Sequence, residues 1–155
     1  MIPSIERDIL IEAPADVVWR AVTEPSQISG WFSDAAQIDQ RTGGEGTLTW
    51  TDRATSKPTT VSITVQTIEP PHTFSFRWVH PEGVQPREGN SLLVEFTLTP
   101  EGDNTRLRVT ETGLREMDWT PEQKATYADE HTQGWIKHLS DLDTYLTPKR
   151  QPSTR

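Results

Sequence analysis

Residues 120–146 carry the feature that most restricts how this chain can fold. Thr120-Pro121-Glu122-Gln123 combines an N-cap threonine, a first-turn proline and the glutamine of a capping box. Behind it Ala128, His131, Trp135, Leu139, Leu142 and Leu146 recur at intervals of three and four, which marks one face of a helix. Some 26 residues of helix span roughly 39 Å. A compact domain of this length has a radius of gyration near ~15 Å, so the helix has to cross the whole domain. Its apolar face therefore needs a large complementary surface.

The rest of the chain supplies one. Ile5, Ile9 and Ile11 alternate with polar neighbours and predict a first strand. Pro14 then opens a short helix whose buried face is Val17, Val18, Ala21 and Val22. Glu24-Pro25 interrupts it, and Ser26 begins a second short helix reaching Trp31. From there the period changes from 3.6 to 2. Strands are expected over 36–40, 47–51, 60–68, 73–78, 90–99 and 105–112, separated by turns rich in Gly, Pro, Asn and Asp. Consecutive strands with short turns form an antiparallel meander. Arg77, Glu95 and Arg108, out of phase with the apolar positions, are expected to form a cross-strand charge ladder on its outer face. The fold class is α+β: a helix-grip architecture, with a curved antiparallel sheet of six to seven strands wrapped around the C-terminal helix. Residues 1–147 are expected to form a single domain, and 148–155 a frayed tail.

Composition narrows the function. The absence of cysteine excludes a disulfide scaffold, a thiolate zinc site and a cysteine nucleophile. A net charge of −8 disfavours nucleic acid and anionic membrane surfaces as partners. Apolar runs are too short to span a bilayer and the N-terminus lacks the apolar segment of a secretory signal, so the expected location is cytoplasmic. Phosphate-binding glycine loops, His-Glu-x-x-His and Gly-x-Ser-x-Gly are all missing from the sequence, and no cofactor or metal is expected. Six tryptophans and 22 threonines compensate a low apolar content: indole buries a large area per residue, and threonine suits a pleated strand.

Several stretches together resemble a known family. The run from Ile9 through Ala13-Pro14-Ala15-Asp16-Val17-Val18-Trp19 to Glu24-Pro25, followed by Ile28 and Trp31-Phe32, is similar to the opening of START/Bet v 1-like (SRPBCC) proteins. The turn Asp39-Gln40-Arg41-Thr42-Gly43-Gly44, Phe76-Arg77-Trp78, Thr112-Gly113-Leu114 and Gly134-Trp135-Ile136-Lys137-His138-Leu139 add to it. More narrowly, the chain resembles the branch named after the activator of Hsp90 ATPase, over roughly residues 5–147. The resemblance implies a cavity between sheet and C-terminal helix. It also implies any of several activities, because the superfamily includes lipid carriers, polyketide cyclases and chaperone partners.

The candidate ligand-binding residues follow from phase. Trp31, Trp50, Phe76, Trp78, Phe96 and Trp135 lie on inward faces, where they either line a pocket or simply fill a core poor in leucine. Glu111 is in phase with Leu107 and Val109. It is read either as a carboxylate of raised pKa beside an apolar cavity, able to move a proton, or as one solvated at the cavity mouth. His131 belongs to the helix stripe as a polar anchor or a satisfied core histidine. It pairs with Glu111 only if the last strand lies under the middle of the helix. His138 is two turns further on, about 10 Å away and too far for the two to share a zinc ion. Gly134, which costs about 1 kcal/mol relative to alanine in mid-helix, is read first as a close approach of the sheet, with volume left for a ligand as the alternative. Trp19 is expected to pack rather than to line a pocket.

These readings give a non-enzymatic domain that binds a small apolar or aromatic ligand. The alternatives are a polyketide cyclase- or hydrolase-like enzyme using the same cavity, and an interaction module for an Hsp90-type chaperone. The loop at 81–89 is read as a lid or as the contact of a homodimer.

Overall fold

The computed structural model describes residues 4–78 and 90–147; the loop at 81–89 and the tail at 148–155 lie outside the described residues. The elements run β1 (Ile5–Ile11), α1 (Ala15–Thr23), α2 (Pro25–Ile28), β2 (Ala35–Ile38), β3 (Glu45–Thr51), β4 (Pro58–Glu69), β5 (Thr73–Trp78), β6 (Leu92–Glu101) and β7 (Asn104–Thr112). A short 3-10 turn at Leu114–Glu116 leads to α3 (Pro121–Leu146). Seven antiparallel strands form one curved, open sheet in the order β1-β7-β6-β5-β4-β3-β2, so the helix-grip architecture is present. Among the described residues no helix is long and apolar enough to cross a membrane.

Local chemistry explains the boundaries. Thr120 accepts from the Gln123 backbone N–H at 3.1 Å while the Gln123 side chain accepts from the Thr120 N–H at 2.9 Å, a closed capping box that fixes the start of α3. Pro14 stands just outside α1, where its missing N–H leaves no helical bond unmade. α1 buries Val18, Ala21, Val22 and Thr23. α3 lays Trp135, Leu139 and Leu142 against the concave side of the sheet, whose buried positions Phe74, Phe76, Trp78, Val94, Phe96, Leu107 and Val109 alternate along β5, β6 and β7.

The charge ladder expected on the outer face does not form. Glu95 lies opposite Ser75 and Thr110, whereas Arg77 lies opposite Leu93 and Arg108 opposite Thr97. The register thus sets each guanidinium two positions from the carboxylate. Arg77 donates instead to Gln66 at 2.6 Å, at the irregularity in β4, and Arg108 pairs with Glu6 of the edge strand at 2.5 Å.

A buried carboxylate beneath an aromatic pocket

The interface between the sheet and its covering helices divides into two ends, one beneath α1 and α2 and one beneath α3. At the first, Trp31 stands edge-on to Phe96 with ring centroids 6.4 Å apart, and Phe96 stacks on Phe74 and tilts against Phe76. The Trp31 Nε1–H donates to the Ala21 carbonyl at 2.8 Å, tying the ring to α1. Only a void of about 10 Å³ remains among these side chains, at the lower limit of what a single water needs. Three of the six aromatic candidates, Trp31, Phe76 and Phe96, are therefore interlocked around it. Trp19 packs edge-on to Phe74, as its position on α1 suggested.

The second end is open. A pocket of about 380 Å³ lies between α3 and the strands, walled on the sheet side by Trp50, Val61 and Trp78. Phe32 joins them from the segment after α2, and α3 contributes Glu130, His131, Gly134, Trp135 and His138. Phe32 stacks on Trp135 at 5.4 Å and 11°, and its backbone carbonyl accepts from the Trp50 indole at 2.7 Å. The other aromatic candidates, Trp50, Trp78 and Trp135, thus come together here with His131. A Cβ built on Gly134 would meet nothing within 4 Å. The close approach expected at Gly134 is absent, and the missing side chain leaves room in the pocket instead.

Glu111 lies behind the pocket wall, bonded to the lining residues Trp78, His131 and Trp135 and not itself part of the lining. It is only 2% exposed. Both oxygens are fully engaged: Oε1 accepts from the Trp135 indole at 2.9 Å and faces Nδ1 of His131 at 3.1 Å, while Oε2 accepts from the Trp78 indole at 2.9 Å and from the Tyr127 hydroxyl. The pairing with His131 exists because β7 passes beneath the middle of α3. The reading of Glu111 as a solvated or proton-moving carboxylate is corrected by these contacts. Burial disfavours its charge, but the hydrogen bond and charge attraction of His131, with the hydrogen bonds from Tyr127 and Trp135, outweigh burial and hold its pKa below the usual carboxylate range. It is a fixed anion with no free lone pair toward the pocket.

That anion shapes its neighbours. Tyr127 is held protonated, its pKa raised by burial and by the adjacent carboxylate. Its ring stacks on His131 with centroids 3.7 Å apart. His138, packed edge-on to Phe32 at 4.8 Å, is pushed down to about 4, chiefly by burial.

Sequence reasoning missed Tyr127 and Phe32 as parts of the site. A usable signal existed for the first: residues 127, 131, 134, 135 and 138 fall within an arc of about 100° on a helical wheel. That arc overlaps the leucine stripe along one edge only, so the apolar period led to His131 and Trp135 but not to Tyr127. Among the described residues no group of His, Asp and Glu is arranged to hold a metal ion.

The same fold recurs in solved structures. CalU16 from Micromonospora echinospora is 27% identical, with 94% of this chain and 77% of that chain covered and a TM-score of 0.65. DynU16, a protein of the dynemicin biosynthetic locus, is 25% identical at a TM-score of 0.72; 96% of this chain is covered, which spans 49% of that one. The Aha1 dimer from Colwellia psychrerythraea is 16% identical at a TM-score of 0.72, covering 97% and 100% of the two chains, a likeness of fold. None of the curated proteins matches the chain. The family model described as activator of Hsp90 ATPase homolog 1-like protein matches residues 12–147, nearly the whole of the helix-grip fold just described, and the chain belongs to that family.

Proposed function

We propose that this protein binds a small, largely apolar aromatic ligand in the pocket between α3 and strands β3, β4 and β5. The observation that carries the reading is the contrast in filling. Aromatic side chains close one end of the interface to about 10 Å³ and leave about 380 Å³ at the other, a volume in the range of small-molecule sites. The identity to DynU16, from a biosynthetic locus, agrees with a small-molecule role. The six indole N–H groups give the test. On titration with bicyclic aromatics, beginning with tetralin, the 15N-detected signals of Trp50, Trp78 and Trp135 are expected to shift saturably while those of Trp19 and Trp31 stay in place. Uniform small shifts of all six, or none, would overturn the reading.

One contact favours a second reading, an acid–base enzyme on the same pocket. A carboxylate behind an imidazole orients it as a general base. His131, not Glu111, would then take the proton, and a bound substrate recovered unchanged after long incubation would argue against it.

A further inference from the structure

The two histidines of the pocket present opposite hydrogen-bonding faces. Nδ1 of His131 lies 3.1 Å from Oε1 of Glu111. An ionised carboxylate only accepts, so in the neutral imidazole Nδ1 carries the proton and Nε2 is left with its lone pair. The His131 side chain is 29% exposed and lines the pocket. His138 is arranged the other way round. Its Nδ1 is sealed from solvent with no hydrogen-bond partner among the described residues. A buried N–H without an acceptor is rarer and worse than a buried lone pair. Nδ1 of His138 is therefore the bare nitrogen and Nε2 carries the proton, on a ring that also lines the pocket. Burial keeps this ring neutral, with its pKa pushed down to about 4.

The spacing lets one molecule meet both. Seven residues make almost two helical turns, so the two side chains leave the same face about 10 Å apart along the axis. Gly134 stands between them with open space above it, and Phe32 and Trp135, stacked at 11°, offer flat walls.

We infer that the pocket selects fused-ring aromatics carrying a hydroxyl at one end and a carbonyl at the other, the hydroxyl donating to His131 and the carbonyl accepting from His138. This rests on the pocket being a ligand site and adds the chemistry of its occupant. Four probes of nearly one shape separate the contributions: tetralin, 1-tetralone, 5,6,7,8-tetrahydro-2-naphthol and 6-hydroxy-1-tetralone. The titrations are run at pH 7.2, above the ordinary imidazole value of about 6.5 and below the ionisation of a phenol para to a carbonyl, so that every probe hydroxyl keeps its proton.

Each polar group is expected to tighten binding about tenfold over tetralin, and the doubly substituted probe to bind tightest. His131→Phe is expected to erase the gain from the hydroxyl and keep that from the carbonyl; His138→Phe is expected to do the reverse. Should His131→Phe fail to fold, the probe series on the unmodified protein still decides. Equal affinity for all four probes would overturn the inference while leaving the pocket as an apolar site. Binding of none would remove both.

Discussion

The two ends of the sheet–helix interface use the same kind of side chain to opposite effect. At the closed end Phe74, Phe76, Phe96 and Trp31 interpenetrate, and the single indole N–H is satisfied by a backbone carbonyl of α1. At the open end the Trp78 and Trp135 indoles converge on one carboxylate of β7. Phe32 lies between the two, touching Trp31 at 5.2 Å and Trp135 at 5.4 Å. Aromatic residues left to pack freely fill space. Here two rings are held by directed hydrogen bonds at their edges, and the glycine opposite offers nothing to pack against. An internal anion thus acts as a peg that keeps the walls apart.

The largest expected effect separates peg from filler. Glu111→Ala leaves four donors without their acceptor, at about 1–3 kcal/mol for each buried group, so a loss of about 4 kcal/mol or more in urea unfolding is expected. Phe74→Ala, at a fully buried ring, is expected to cost about 3–4 kcal/mol by cavity formation. The variants should differ in kind as well as size. Phe74→Ala leaves the Trp78 and Trp135 indole signals at their hydrogen-bonded positions; Glu111→Ala moves both. If the two indoles keep their shifts without the carboxylate, the peg does not exist.

A smaller effect distinguishes the ends by pH. His138 titrates near 4 in the folded protein against about 6.5 in the unfolded chain. Between these values the unfolded state binds a proton that the folded state refuses, so stability falls as pH drops from about 6.5 toward 4 and is intact above that window. The shift corresponds to an order of magnitude of about 3 kcal/mol. Glu111, whose folded pKa is lowered, works in a separate window: its contribution holds above the ordinary carboxylate range and is lost as pH falls below it. Urea midpoints between pH 7.5 and 4.5 should decline in the parent protein and flatten in His138→Phe. An equal decline in both would assign the slope elsewhere and strip the open end of its neutral imidazole.

How much of this was legible in the sequence follows the same divide. Strand alternation and the capping box at Thr120 set out the sheet and α3, because each depends on local periodicity and on neighbours within a few residues. The inward phase of Glu111 was readable too. Its protonation was not, since that depends on Trp78 of β5 and on Tyr127, His131 and Trp135 of α3, brought to β7 by a register that no local pattern encodes. The Arg77–Glu95–Arg108 ladder failed for the same reason: phase places residues on a face, but only register decides which ones meet.

Gly134 sharpens the comparison with the smallest change. An alanine there relieves the helical penalty of glycine, about 1 kcal/mol, and beyond its own turn of helix backbone its methyl group meets no atom within 4 Å. Stability should rise by about that amount, read from the urea midpoint. The same methyl projects into the space between His131 and His138, so tetralin should bind a few times more weakly. Gains in stability and losses in binding then come from one atom, which is what room kept free for a ligand requires. A glycine needed for close packing would show the opposite stability change, because the added carbon would push strand and helix apart. Were Gly134→Ala destabilising, the open end would be a misreading of a tight contact, and the contrast with the Phe74–Phe96 end would fall with it.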